Sequence, residues 1–332
     1  MQSLLVCLVL ALLAAVGGGG AVILAAPALA QPSPPAAWPQ RNVRFIIPFG
    51  PGSGADISAR LISERLQQRW RTAVVIENRP GGDGLVAINA FVGAADDHVL
   101  LYAAAASFIA HPYQYDTLPY DRERDLLPIA RISITVMAAG IPAAMGISTL
   151  ADFVAHARSQ PGKLNSASVQ GMSEIVFHGF FKRHGLDIAK VPYRDIVQAP
   201  TDVAEGRIHM LMASLAAQQP LVQAGKIKVL AVGGQRTPLL PDTPTMTEAG
   251  FPDLENEGLI GVFGPRGMAL DLRQRVAADI VEAGSTPLIA ERLSGTAQMV
   301  ALGGPDALAQ SIARQNASLD AAANALGMKR KL

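Results

Sequence analysis

Val43-Arg44-Phe45-Ile46-Ile47 is a short run of β-branched and aromatic residues. It leads without a spacer into Pro48-Phe49-Gly50-Pro51-Gly52-Ser53-Gly54-Ala55-Asp56. From Asp56 to Trp70 the apolar residues take helical spacing, with Ile57, Leu61 and Leu66 on or near one face. The same succession of strand, turn and helix continues along the chain. Strands are predicted at Ala73–Ile76, Val99–Ala103, Ile188–Pro192, Ile208–Met212 and Val229–Val232, with one long extended run at Ile129–Ala139. Helices are predicted at Val86–Ala94, Thr149–Ser159, Gly171 to about His184, and Ala199–Glu205, the last ended by Gly206 in the left-handed position. Three more are predicted at Asp271–Ala283, Pro287–Ser294 and Pro305–Ala325. Strands alternating with helices of this length indicate an α/β fold of mostly parallel sheets flanked by helices.

No clean linker separates two independent domains, so the chain is expected to leave one lobe and later return to it. The first lobe is placed at 43–134 plus 233–332 and the second at 135–232, with two crossing strands as the hinge. Ahead of them, residues 31–42 read as a Pro- and Ala-rich linker. Residues 1–30 read as an export signal: Leu4 to Val16 is almost continuously apolar, Gly17 to Gly20 breaks it, and Ala28-Leu29-Ala30 is a small-x-small cleavage pattern. An uncleaved anchor is the alternative, because the n-region lacks Lys and Arg and the whole apolar stretch is long enough to span a bilayer. The only cysteine is Cys7, inside that segment, so the expected mature chain has no disulfide and no thiolate metal site. A periplasmic location follows. The net charge of +1 gives no basic footprint for nucleic acid.

The loop after Pro48 carries the clearest chemistry. Glycines let backbone N–H groups approach a ligand closely. The helix start adds unpaired N–H groups and the positive end of a macrodipole. Together they suit a carboxylate or phosphate; a tight turn with Ser53 or Gly54 as the N-cap is the plainer reading. Gly50, Gly52 and Ala55 also fit G-x-G-x-x-A, with Glu77 ending the next strand, as in a dinucleotide-dependent oxidoreductase. Pro51 inside the loop, the late Glu77 and the export signal count against that. Ser53 lacks a G-x-S-x-G frame, there is no H-E-x-x-H, and the six histidines are scattered. Asp96-Asp97-His98 reads as a solvated turn. No enzyme activity, cofactor or metal is expected.

Several motifs in one order then give a family resemblance. VRFIIPFGPGSGADISARLISERL, IENRPGGDG, LPYDRERDLLPIA, PGKLNSAS, VPYRD, GKIKVLAVGGQRTPLLPDTPTMTEAGFPDLE and GVFGPRG together resemble the tripartite tricarboxylate transporter substrate-binding proteins, the Bug or TctC family, over essentially the whole mature chain. The resemblance implies a two-lobed, periplasmic-binding-protein-like (Venus-flytrap, type II) fold. It also implies capture of a small organic acid in the interlobe cleft by a monomer. The acid is handed to transporter membrane subunits, or the liganded form is presented to a sensor protein.

By position, the resemblance implies ligand contacts at Phe49, Gly50, Pro51, Gly52, Ser53, Gly54 and Asp56, and at Ala105 and Ser107 in the same lobe. Across the cleft it implies Ser168, Gly171, Ser173, Tyr193, Asp195 and Ser214. The chain also departs from the family pattern. Ser53 replaces a glycine, Pro80-Gly81-Gly82-Asp83-Gly84 replaces Pro-Gly-Ala-Gly-Gly, and His111 replaces an Asn. Val169 and Asp195 stand at glycine positions and Ala213 at an Asp position. Asp195 either points to solvent or pairs with Arg194, or stands unpaired beside the ligand; in the last case an acid that also bears an amine or amide is expected in preference to a plain di- or tricarboxylate.

Overall fold

Val43, Phe45, Ile46 and Ile47 are all fully buried in the computed structural model, which describes residues 38–193 and 196–331. The expected signal segment, most of the linker and Asp195 lie outside the described residues. The chain begins β1 (Val43–Ile47), α1 (Gly54–Trp70), β2 (Val74–Asn78), α2 (Leu85–Ala94), β3 (Val99–Ala104), α3 (Ala105–Gln114) and α4 (Arg122–Asp125). It continues with β4 (Leu127–Thr135), β5 (Met137–Pro142), α5 (Leu150–Ser159), β6 (Leu164–Ser168), α6 (Met172–Arg183), β7 (Ile188–Lys190) and α7 (Ala199–Ala204). It closes with β8 (Met210–Ser214), α8 (Leu215–Gln223), β9 (Ile227–Val232), β10 (Gly258–Gly264), α9 (Leu270–Gly284), α10 (Pro287–Ser294), β11 (Gln298–Gly303) and α11 (Pro305–Ala325).

The strands form two sheets, one of order β11-β4-β10-β3-β1-β2 and one of order β7-β6-β8-β5-β9. The stretch β2-β1-β3-β10-β4 of the first matches β7-β6-β8-β5-β9 of the second, pairing for pairing. The sheets are mixed, which corrects the expectation of mostly parallel ones. Among the described strands only β1–β2, β1–β3, β6–β7 and β6–β8 pair parallel. The reason is the crossing itself. β4 leaves the first sheet for the second while β10 enters it, so the two run opposite ways; β5 and β9 do the same in the second sheet.

The long extended run expected at Ile129–Ala139 is therefore two strands in two sheets, separated by Val136. Val136 donates its N–H to Ala297 O at 3.0 Å, and its carbonyl accepts Leu215 N–H at 2.8 Å. The return is longer than expected. The sequence reading starts it at Gly233, yet Met246 and Leu254 are buried among Phe177, Phe180 and Met212 of the second sheet's core. The first sheet is rejoined at Gly258. At the crossing the backbones touch: Gly233 donates its N–H to Met137 O at 2.8 Å, and a Cβ on Gly233 would collide with the Asn256 carbonyl.

Helix α6 belongs to both cores. Met172, Ile175 and Val176 pack with Phe108, Phe263 and Leu319 under the first sheet, whereas Phe177, Phe180 and Phe181 pack with Phe153 and Met210 under the second. Gly179 permits this by letting α11 come close; a Cβ there would stand 2.8 Å from the Ala322 Cα.

Candidate functional site

Strand direction fixes where the helix starts lie. β1 and β3 run the same way as β4, so their C-terminal ends lie at the edge where β4 crosses over. β8 and β6 run against β5, so their C-terminal ends lie at the edge where β5 arrives. The starts of α1, α3, α6 and α8 follow those four strands directly. Two helix starts from each sheet therefore border the crossing. Ligands of open α/β sheets gather in such crevices beyond strand C-termini.

On the first-sheet side, the loop after Pro48 is held from beneath. Asp56 is 2% exposed. Its carboxylate accepts the Gly52 N–H at 2.9 Å, both the Nε–H and a terminal N–H of Arg60 at 2.9 Å, and the Asn78 Nδ2–H at 2.8 Å. Asn78 also donates to Phe49 O at 2.9 Å. Burial pushes the Asp56 carboxyl up, but these donors outweigh it and hold it below the usual carboxylate range. Asp56 thus has its oxygens engaged inside the protein and shapes the loop. Phe49 is half-buried against the core that includes Phe45, Ile62 and Leu66. Gly52 takes φ +82° in the turn, Pro51 is exposed, and a Cβ on Gly50 would meet nothing within 4 Å. Ser53 is the N-cap of α1, its Oγ accepting the Asp56 N–H at 3.2 Å. A Cβ on Gly54 would run into the Gln298 side chain, so that glycine serves packing.

Ala105 is fully buried and Ser107 half-buried at the start of α3, a helix with no side-chain cap. Loop 82–84 lies beside them. A Cβ on Gly84 would stand 3.6 Å from the Pro48 Cβ and 3.7 Å from the Ser107 Cβ. The structure therefore brings the Pro48 loop, Ser107 and this second glycine loop together.

On the second-sheet side, Ser168 ends β6 and Gly171, at φ +86°, precedes α6, which also has no side-chain cap. Ser214 caps α8 by accepting the Ala217 N–H at 3.4 Å. Ser173 is buried, and its Oγ accepts the Asn256 Nδ2–H at 2.7 Å. It ties α6 to the return crossing. The Tyr193 hydroxyl donates to Asp202, which also pairs with Arg207. Burial and that carboxylate push the phenol up to about 12. This turns its polar end toward α7.

One residue links the two sides and was noticed in the sequence only as a family departure. Asp83 takes φ +50° between Gly82 and Gly84, and its Oδ2 lies 3.6 Å from where a Cβ on Gly171 would stand. His111, fully buried, faces the same loop: its Nε2 lies 3.0 Å from Asp83 O and its Nδ1 2.7 Å from the Tyr120 hydroxyl. A carbonyl only accepts, so Nε2 carries the proton and Nδ1 accepts from Tyr120. Burial lowers the His111 pKa, which agrees with a neutral ring.

Other candidate centres are accounted for by internal partners. Glu77, the acid of the dinucleotide reading, is held by Arg44 at 3.2 Å and Arg79 at 2.5 Å. Asp96, Asp97 and His98 bring three possible metal-ligand atoms within 4.8 Å of one another. His98 Nε2 accepts the Gln40 N–H, His98 Nδ1 meets Asp97 at 2.6 Å, and Asp96 pairs with Arg41. Among the described residues no helix is long and apolar enough to cross a membrane.

Comparison with known proteins points the same way. The tripartite tricarboxylate transporter family receptor model matches residues 58–327. A UPF0065 protein of Bordetella bronchiseptica is 30% identical over 276 residues, covering 81% of this chain and 82% of that protein. The structure of R. palustris Rpa4515 with adipate is 26% identical with a TM-score of 0.74, covering 88% of this chain and 99% of that one. A structure described as a periplasmic transporter is 26% identical with a TM-score of 0.73 and the same coverage. With two matching α/β sheets, four helix starts at their crossing edge and a family match over most of its length, the chain belongs to the tripartite tricarboxylate transporter family of receptors.

Proposed function

We propose that this protein is a periplasmic solute-binding protein that captures a small organic acid between its two sheets and delivers it, chemically unchanged, to the membrane subunits of a tripartite transporter. The observation that carries this reading is the set of four helix starts bordering the crossing, two of them, α3 and α6, without side-chain caps. Each offers backbone N–H groups and a positive dipole end to a carboxylate. The adipate in the related R. palustris structure supports an aliphatic carboxylic acid as the solute class. Contacts from both lobes would favour the closed arrangement, as a hinge-type receptor requires.

The Pro48 loop gives a test separable from folding. A side chain at Gly50 meets open space, so Gly50→Leu is expected to leave the melting temperature unchanged. It should weaken binding of C4–C6 carboxylic acids, by isothermal titration calorimetry, about tenfold or more. Native mass spectrometry of freshly purified protein would show the co-purified solute. Unchanged affinity in the Gly50→Leu protein would place the binding site elsewhere.

A further inference from the structure

Asp83 is an acid placed among glycines at the point where the two sides of the crossing meet. The left-handed backbone it adopts, φ +50° and ψ +36°, is one that glycine takes freely and most L-residues avoid. Its side chain keeps 35% of its surface open, and its Oδ2 reaches the start of α6. Partial burial raises its pKa. Among the described residues no lysine or arginine pairs with it. Among the described residues the one basic group within ion-pair distance of it, His111 Nε2 at 3.8 Å, belongs to a buried ring held neutral by Asp83 O and Tyr120. The carboxylate therefore stands in the cleft without a counter-cation from these residues. A second carboxylate brought close by a dicarboxylic solute would meet like charge in a partly desolvated space, where such repulsion is strong.

We propose that Asp83 is the counter-charge for an ammonium group on the bound solute, so that the cleft selects an acid bearing an amine over a dicarboxylic acid of the same length. This rests on the reading that the cleft binds a small organic acid, and it names the specificity-determining residue within it. The solute's carboxylate lies among the helix starts beside Pro48 and Ser107. Its amine lies toward Asp83, where it supplies the full cationic charge that no described lysine or arginine provides. An acid-to-amine pairing also disfavours ligands lacking the amine, because a diacid would set a second carboxylate beside Asp83.

The test compares length-matched pairs by isothermal titration calorimetry: glutarate with 5-aminopentanoate, and adipate with 6-aminohexanoate. They are titrated into the wild-type protein, Asp83→Asn and Asp83→Gly. Asparagine tolerates the left-handed backbone and glycine relaxes it, so both variants are expected to fold, and circular dichroism checks this. The wild-type protein should bind the amino acids about tenfold or more tighter than the diacids, and both variants should lose or reverse that preference. A wild-type preference for the diacids, or a preference unchanged in both variants, would overturn the assignment of Asp83 and leave the organic-acid cleft standing. Failure of all three proteins to bind either class would overturn the cleft reading and the assignment with it.

Discussion

Among single residues, Asp56 shows how the sequence concealed a role that the structure reveals. The family resemblance offers it as a ligand contact; in the structure Arg60, Asn78 and the Gly52 N–H fill its carboxylate. Asp56→Ala leaves the Gly52 N–H and one Asn78 N–H without their acceptor, so it should cost about 2 kcal/mol at pH 7, measured by urea denaturation. Burial raises the Asp56 pKa, and the hydrogen bonds more than reverse that, so the folded value lies below the unfolded one. The charge-dependent part of its stabilisation is therefore present above about pH 4 and is lost as pH falls further, through the folded value. The gap between wild type and Asp56→Ala should narrow at pH 3; a gap that stays constant would mean that Asp56 acts through shape alone. The cap at Ser53 was legible in the sequence because it is local. The partners of Ser173 and Tyr193 were not: Asn256 lies 83 residues from Ser173, and nothing near Tyr193 signals that its hydroxyl turns to Asp202.

Among elements, α10 and α11 were read to the residue, because each opens with proline and carries clear helical spacing. β10 was missed. Gly258, Gly261 and Gly264 interrupt its pattern, and they are there because a Cβ at each would strike Thr135, Leu308 and Met268 respectively. The division of β4 from β5 was hidden for the opposite reason: apolar residues run straight through Val136, so no change of pattern marks the change of sheet. α6 was legible as a helix but not as the element shared by two cores. Gly179→Ala tests that role. On propensity alone the change stabilises a helix interior by about 0.5–1 kcal/mol. Here the added methyl meets the Ala322 Cα at 2.8 Å and its carbonyl oxygen at 2.9 Å, both backbone atoms of α11 that have no rotamer to turn aside. Overpacking of this kind costs about 1–3 kcal/mol and outweighs the gain. The denaturation midpoint should fall; a rise would show that α6 and α11 are not closely held.

For the whole molecule, the sequence conveys the alternation of strands and helices and the return of the chain, but not the matching strand order of the two sheets, since no residue pattern repeats between them. That match has a mechanical consequence. Because β4 and β10, and likewise β5 and β9, run in opposite directions at the crossing, the strands that feed α1, α3, α6 and α8 all end at the crossing edge. A solute held there touches both sheets, and its binding is linked to the stability of both. Helices α9 and α10 pack with Ile62, Leu66 and Val262 on the face of the first sheet opposite α6. They lie outside the set of elements whose starts border the crossing. Hydrogen exchange followed by mass spectrometry, with and without saturating ligand, should therefore show slowed exchange in loop 48–54, loop 82–84 and the first turns of α3, α6 and α8. α9 and α10 should exchange at their unliganded rates. Protection confined to the first-sheet segments would show that the ligand rests on one lobe and that the second sheet plays no part in gripping it. Protection on both sides, with Asp83→Asn removing the share at Gly171 and the start of α6, would tie the grip of the second lobe to that one carboxylate.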